Sequence, residues 1–285
     1  MKSINKLVQS LDRWQQGFRP TAFLVAVIKK FGKDQAGYAA ALLTYYSFLS
    51  LFPLLLILTT VTNGLIGKHP HLEATVIHGL TNYFPLLGQQ LSSHVHSLHG
   101  SGLALLVGVL VAIYGTHGVA DVFRRNVQDM WGVPQKDRAG FPKSTLRSLV
   151  LIIVGGLGFL VASLSSTLAS AGGHGLAFAT LAVLINLFLL FWLFTFLLNY
   201  SLPSHVSLKE IQPGALSAAI GLVILQAAGA RILKHELQNL DALYSYFAVA
   251  LGLLFWIYLQ AQMLYYSVEI AVVSSRKLWP RSLFD

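Results

Sequence analysis

Six long apolar stretches, separated by shorter polar connections, limit most strongly what this chain can fold into. Each stretch supplies the roughly 20 residues that a helix needs to cross a hydrocarbon layer of about 30 Å. Backbone groups in lipid must be hydrogen-bonded within their own segment, so each stretch has to be helical. The sequence therefore predicts an all-α, polytopic integral membrane protein with six transmembrane helices. They cover 38–62, 102–123, 148–169, 176–199, 212–232 and 244–273.

The distribution of Lys and Arg residues predicts the orientation of these helices. Seventeen of the 20 lie on the two chain ends and on every second connection, with the 124–147 loop carrying six. Such an excess marks the cytoplasmic side, so we expect both termini there. A soluble fold is excluded because 55% of the residues are hydrophobic and only 11% are charged. The net charge of +9 indicates contact with anionic lipid headgroups, not with nucleic acid.

The predicted organisation is a single membrane domain with short flanking segments. Residues 1–37 form a cytoplasmic segment, 38–273 the six-helix domain and 274–285 a cytoplasmic tail. Apolar residues at helical spacing in 23–31 predict an amphipathic helix, either interfacial or packed on the bundle. The 63–101 connection predicts two short interfacial helices on the outer face. In the third span Gly158, Ala162 and Ser166 form a ridge of small residues that favours close helix packing.

Local motifs of aromatic, proline, glycine and polar residues lie at the ends and centres of four of the predicted spans. Their positions are Tyr45, Ser47, Pro53, Tyr114, Gln128, Trp131, Pro213, Gly214, Tyr244, Trp256, Tyr258 and Glu269. In order and spacing these motifs resemble the YihY/BrkB family of bacterial inner-membrane proteins, also known as UPF0761. The resemblance extends over nearly the whole chain in length, span number and motif order, although Gln128 stands where that family usually has asparagine.

The resemblance implies a bacterial inner-membrane location and a part in envelope maintenance. We expect a transporter-like or lipid-handling role, with a lipid or small solute as substrate. The alternative is a scaffold that binds partners through the cytoplasmic 124–147 loop. Some members of the family have been labelled ribonucleases, which is the least favoured hypothesis here. The sequence does not indicate the substrate, the coupling ion or the oligomeric state.

Charged groups near the membrane are the main candidate site, because they are costly there. Asp121, Arg124 and Arg125 end the second span and Glu269 lies near the inner end of the sixth. Both spans run inward, so these groups share one depth and are placed where they can pair. They form either a polar cavity lining that meets a headgroup or ion, or a structural ion pair. Asn186 and Gln226 extend such a lining or make interhelical hydrogen bonds.

Metal and catalytic sites are weakly indicated. His94, His96 and His99 resemble a metallo-hydrolase element, but Leu98 stands where that element needs aspartate. Zinc or copper binding by these histidines is the alternative to solvated loop side chains. The chain has no cysteine, no phosphate-binding glycine loop with lysine and no paired carboxylates at catalytic spacing. We therefore expect no enzyme activity and no cofactor.

Overall fold

The computed structural model describes residues 17–61, 102–171, 176–236 and 242–281, and these contain seven α-helices and no strand. The predicted all-α fold is confirmed for the described residues. The 63–101 connection, with its predicted interfacial helices, lies outside them, as do most of the N-terminal segment and the end of the tail. The helices are α1 (Arg19–Lys33), α2 (Ala36–Val61), α3 (Gly102–Met130), α4 (Lys143–Ala171), α5 (Leu176–Ser201), α6 (Leu208–Glu236) and α7 (Ala242–Ser275).

Helices α2 to α7 correspond one to one to the six predicted spans. Several extend beyond the apolar stretch, and α3 continues seven residues past 123 to Met130. The polar C-terminal part of α3 is stabilised as a helix by two ion pairs. Asp121 pairs with Arg124 and Arg125, which follow it by three and four residues on the same helix face. By length and composition, two segments among the described residues qualify as bilayer-crossing helices, Thr180–Ser201 and Leu208–Gly229.

The six long helices form a ring in chain order. Each packs against the next, and α7 closes the ring against α2. Helix α3 also contacts α5 and α7 across the ring, so one of its faces points to the bundle interior. The buried core between the helices consists mainly of Ala, Val, Leu and aromatic side chains.

Small residues permit the close crossings in this ring. A Cβ on Gly115 would lie 2.8 Å from Cβ of Ser50 on α2, and one on Gly214 would lie 2.6 Å from the Ser267 carbonyl oxygen on α7. Gly158 contacts Leu193 of α5, and Ala162 is fully buried. The packing role predicted for the small residues of the third span is therefore confirmed at these two positions; the Ser166 side chain is outside the described set.

Helix α1 packs along the C-terminal part of α7. Phe31 stacks on Tyr266 with ring centroids 3.8 Å apart, and Phe23 meets Trp279 edge-on. Between these contacts Val27 is buried with Val273. Of the two interpretations of the amphipathic helix, the structure shows the one in which it packs on the bundle. Leu24 and Ile28 remain 56% and 59% exposed.

The outer surface of the ring is strongly apolar. Large apolar side chains from all six long helices point away from the protein interior, far more than a soluble monomer exposes. A bilayer is the environment that makes such a surface stable. Examples are Leu42, Leu110, Ile153, Leu157, Leu184, Phe188, Trp192, Ile220, Ile224, Leu251 and Phe255.

Candidate functional site

Polar side chains follow one face of the C-terminal half of α3. His117, Asp121, Arg124 and Gln128 are spaced by four, three and four residues, which places them on one helical stripe. The stripe ends two residues before the last residue of α3 and is about 16 Å long at 1.5 Å per residue. Buried nitrogen or oxygen atoms of His117, Arg124 and Gln128 have no hydrogen-bond partner among the described residues. The stripe therefore has unused hydrogen-bonding capacity inside the bundle.

Asp121, Arg124 and Arg125 form the first charged group, here called the α3 arginine cluster. Arg124 Nη2 lies 2.6 Å from Asp121 Oδ1, and Arg125 Nε lies 2.6 Å from Asp121 Oδ2. The Arg124 side chain is 3% exposed and that of Arg125 is 64% exposed. One carboxylate thus serves two guanidinium groups, which leaves an excess of one positive charge. The buried Nε of Arg124 donates to nothing in the described part of the chain.

Gln128 connects the stripe to α5. Its Nε2 donates to the Ser201 carbonyl oxygen at 2.7 Å, while its Oε1 is buried and accepts no hydrogen bond from the described residues. Contacts of Gly155 with Leu197 and of Gly158 with Leu193 set the antiparallel register of α4 on α5. That register brings Ser148, whose fully buried hydroxyl also has no partner within the described ranges, to the level of the Ser201 end of α5.

Lys30, Asp34 and Glu269 form the second charged group, here called the α1–α7 carboxylate cluster. Lys30 Nζ lies 3.1 Å from Glu269 Oε2, also pairs with Asp34, and donates to the Met130 carbonyl oxygen at 2.9 Å. The Glu269 side chain is completely buried. Lys30 therefore joins three elements: α1, α7 and the last turn of α3.

The predicted pairing of Glu269 with the second-span arginines is wrong. Asp121 occupies Arg124 from within the same helix, and the docked α1 brings Lys30 to Glu269. Lys30 and Asp34 were not among the predicted site residues, because a lysine in an amphipathic helix is ordinarily assigned to its polar face. A signal existed, since Lys30 follows Ala26 by four residues and precedes Phe31 on the buried side of the helix.

The residues after α3 form a tight turn around Trp131. Gly132 adopts a φ of +64°, and the Val133 amide donates to the Gln128 carbonyl oxygen at 2.9 Å, a glycine-terminated helix end. Trp131 is 2% exposed. Arg276 lies over its ring, 5.8 Å from the centroid, and donates to its carbonyl oxygen. Two of the family-motif positions, Gln128 and Trp131, therefore fix the C-terminal end of α3.

No hydrogen bond among the described residues joins the other predicted lining residues to the stripe. Asn186 is buried on α5 and Gln226 is partly buried on α6, each with one unpartnered polar atom in that part of the chain. Tyr45 and Tyr114 are 59% and 65% exposed and so face outward.

The remaining family-motif positions are distributed over the bundle. Ser47 is half-buried, Trp256 is buried and Tyr258 accepts a hydrogen bond from Gln262 at 2.9 Å. Pro213 lies inside α6 next to the tightly packed Gly214. Pro53 and Tyr244 fall within α2 and α7, but their side chains are outside the described set.

The described residues contain no cluster of three His, Asp or Glu side chains that would hold a metal ion. His94, His96 and His99 lie in the 62–101 gap, so metal binding by them stays a prediction.

Comparison with known proteins identifies the family. A family model described as virulence factor BrkB matches residues 27–282. A UPF0761 membrane protein of Psychrobacter sp. (strain PRwf-1) is 25% identical over 272 residues, covering 91% of this chain and 50% of that protein. The inner membrane protein YhjD of Escherichia coli (strain K12) is 22% identical over 287 residues, covering 91% of this chain and 83% of YhjD.

A UPF0761 membrane protein of Alcanivorax borkumensis is 25% identical over 256 residues, covering 84% of this chain and 57% of that protein. The chain thus spans about half the length of the two UPF0761 relatives. No solved structure matches it. The family resemblance inferred from the motifs is confirmed, and the chain belongs to the virulence factor BrkB family of membrane proteins.

Proposed function

We propose that this membrane protein handles an anionic lipid or small anionic solute, which it recognises at the inner end of the bundle through Arg124. The proposal includes six bilayer-crossing helices, α2 to α7, with both termini in the cytoplasm. Helices of 26 to 34 residues exceed the roughly 20 needed to cross, and their apolar outer faces suit lipid. The excess of Lys and Arg on one set of connections supports the orientation.

The observation that carries the proposal is the charge imbalance of the α3 arginine cluster. Arg124 is buried and its Nε–H donates to no described residue. A buried cation without full compensation is costly, and inside a membrane such groups mark substrate or ion pathways. An anion bound beside Arg124 would supply both the missing charge and the missing acceptor.

The geometry of guanidinium favours a phosphate or carboxylate as the bound group. Arg presents its donors in a planar fork that matches the oxygens of such anions. The stripe continues from Gln128 to His117, so a polar headgroup has further partners along α3 while its acyl chains stay in lipid. The Nε of Arg124 is buried in the structure. Entry of an anion to this atom therefore requires α3 and a neighbouring helix to separate.

The test compares two adjacent arginines in reconstituted vesicles. Arg124→Gln removes the buried guanidinium, and Arg125→Gln is the matched control because it shares Asp121 but is exposed. Movement of a fluorescent phosphatidylglycerol between leaflets and uptake of inorganic phosphate are both measured. We expect one of the two activities in the parent, its loss in Arg124→Gln and its retention in Arg125→Gln. Equal activity in the parent and Arg124→Gln, or none above empty vesicles in the parent, would contradict the proposal.

The scaffold hypothesis is the second candidate, and the 124–147 loop supplies one observation for it. Phe141 is 89% exposed in a loop whose shape is held by Arg138, which binds the Val133 carbonyl oxygen at 2.7 Å and Asp129 at 2.7 Å. An aromatic side chain presented on an ordered loop suits a protein partner. If the scaffold is correct, the parent shows no activity in vesicles, Phe141→Ser abolishes envelope function in cells, and Arg124→Gln leaves envelope function intact.

A further inference from the structure

Three charged side chains meet where α1 docks on α7. Lys30 Nζ contacts both Glu269 and Asp34, and its third donor position is taken by the Met130 carbonyl oxygen. The Glu269 side chain is completely buried, whereas that of Asp34 is 21% exposed. The α1–α7 carboxylate cluster thus contains two carboxyl groups and one ammonium group.

This charge count is unbalanced when all three groups are ionised. The cluster then has a net charge of −1, and the carboxylate of Glu269 is completely buried from water. Within the described part of the chain, neither Oε1 nor Oε2 of Glu269 accepts a hydrogen bond of acceptable geometry, although Oε2 is within ion-pair distance of Lys30. A buried carboxyl group with so few partners is stabilised by protonation. One proton on Glu269 leaves Lys30 and Asp34 as a neutral ion pair.

The helices packed on α7 provide no second counter-charge for Glu269 among the described residues. Besides α1, they are α2, α3 and α6. Helix α2 has no charged residue or histidine; its titratable groups are tyrosines. On α3, Arg124 is engaged by Asp121, and Asn126 bonds the Tyr265 hydroxyl at 3.3 Å. On α6, Lys209 is exposed and Glu210 accepts a hydrogen bond from Ser207.

The titratable groups at the end of α7 are engaged elsewhere. Tyr266 on α7 stacks on Phe31, and Arg276, the residue after α7, donates to the Trp131 carbonyl oxygen.

We propose that Lys30, Asp34 and Glu269 form a binding site for one exchangeable proton, which is held while α1 is docked on α7 and released when α1 moves away. On release the O–H bond of the Glu269 carboxyl group breaks, the proton passes to water and the electron pair stays on the carboxylate. Because the docked state binds the additional proton, docking is strongest at low pH and weakens as pH rises. The site is independent of the anion proposed at Arg124.

Cysteine accessibility measures this docking directly, because the chain has no native cysteine. Val27→Cys places a thiol on the face of α1 that is buried against α7, and Leu24→Cys places one on the exposed face. The full chain in lipid nanodiscs is treated with a water-soluble maleimide. The rate for Val27→Cys is divided by that for Leu24→Cys at the same pH, which removes the effect of pH on the thiol itself. For one proton, the ratio should rise with pH by up to about tenfold per pH unit.

Two variants remove the carboxylate excess from opposite sides of Lys30. Glu269→Gln and Asp34→Asn each leave one carboxylate and one ammonium, so both should give a low ratio that does not change with pH. Asp34 is partly exposed, so Asp34→Asn decides the outcome if Glu269→Gln does not fold. Asp137→Asn, in the exposed loop, should keep the parent profile. A parent ratio that is flat with pH, or a pH-dependent rise that persists in Asp34→Asn, would overturn the proposal.

Discussion

The α3 arginine cluster and the α1–α7 carboxylate cluster differ in how they are built and in the sign of their charge imbalance. The α3 arginine cluster lies within two turns of one helix and has one positive charge in excess. The α1–α7 carboxylate cluster joins residues more than 230 positions apart and has one negative charge in excess. The first organises a single helix, whereas the second holds one helix on another. Removing a residue of the second cluster should therefore cost more stability.

Lys30→Met should have the largest effect. It leaves two carboxyl groups, those of Asp34 and the fully buried Glu269, without their shared cation and removes the donor to the Met130 carbonyl oxygen. Together these losses should lower stability by about 3–5 kcal/mol. Thermal unfolding of the purified protein in detergent measures the loss. The matched control is Lys33→Met on the exposed side of the same helix, expected to stay within about 0.5 kcal/mol of the parent. Equal melting temperatures for the two variants would show that the carboxylate cluster does not hold α1.

Asp121→Asn should come second, because it leaves the buried Arg124 without a counter-charge. Arg124→Gln in the same chain should restore part of the lost stability. We expect a coupling energy of about 1–3 kcal/mol in the double-mutant cycle, obtained from unfolding of the four proteins. Additive effects of the two substitutions would mean that Arg124 is compensated by a group other than Asp121.

Arg276→Gln should have a smaller effect, near 1 kcal/mol. It removes a cation from the carbonyl end of α3 and from the face of Trp131, and both interactions are modest at partly exposed sites. Lys277→Gln, the exposed neighbour, serves as the control. Quenching of tryptophan fluorescence checks the local cause, since only Arg276→Gln should change the environment of Trp131. If both variants give the same quenching, Arg276 does not fix this turn.

Arg125→Gln should have the smallest effect on stability. Its guanidinium is 64% exposed, and ion pairs at such positions contribute at most about 0.5 kcal/mol after screening by solvent. Unfolding at low and high salt is the measurement. A loss as large as that of Asp121→Asn would remove the distinction between the buried and the exposed arginine.

The same comparison shows what the sequence could predict. All six long helices and the Asp121–Arg124–Arg125 group follow from local spacing, either of apolar residues or of charges three and four positions apart. The partner of Glu269 does not, because it depends on how α1 docks. A lysine within an amphipathic helix is ordinarily assigned to the solvated face, and only the contacts of Phe31 and Val27 with α7 show otherwise. The polar stripe from His117 to Gln128 was detectable from its spacing, but its inward orientation needed the packing of α3 against α5 and α7.

Anionic lipid retention tests the central claim most directly, namely that the buried Arg124 recognises an anionic group and the exposed Arg125 does not. Parent, Arg124→Gln and Arg125→Gln proteins are purified from phosphatidylglycerol-containing membranes, and bound lipid is counted by native mass spectrometry. Inorganic phosphate is added as a competitor to distinguish a lipid headgroup from a free anion. We expect the parent and Arg125→Gln to retain the same phosphatidylglycerol or protein-bound phosphate and Arg124→Gln to lose it. Equal retention by all three proteins would contradict it.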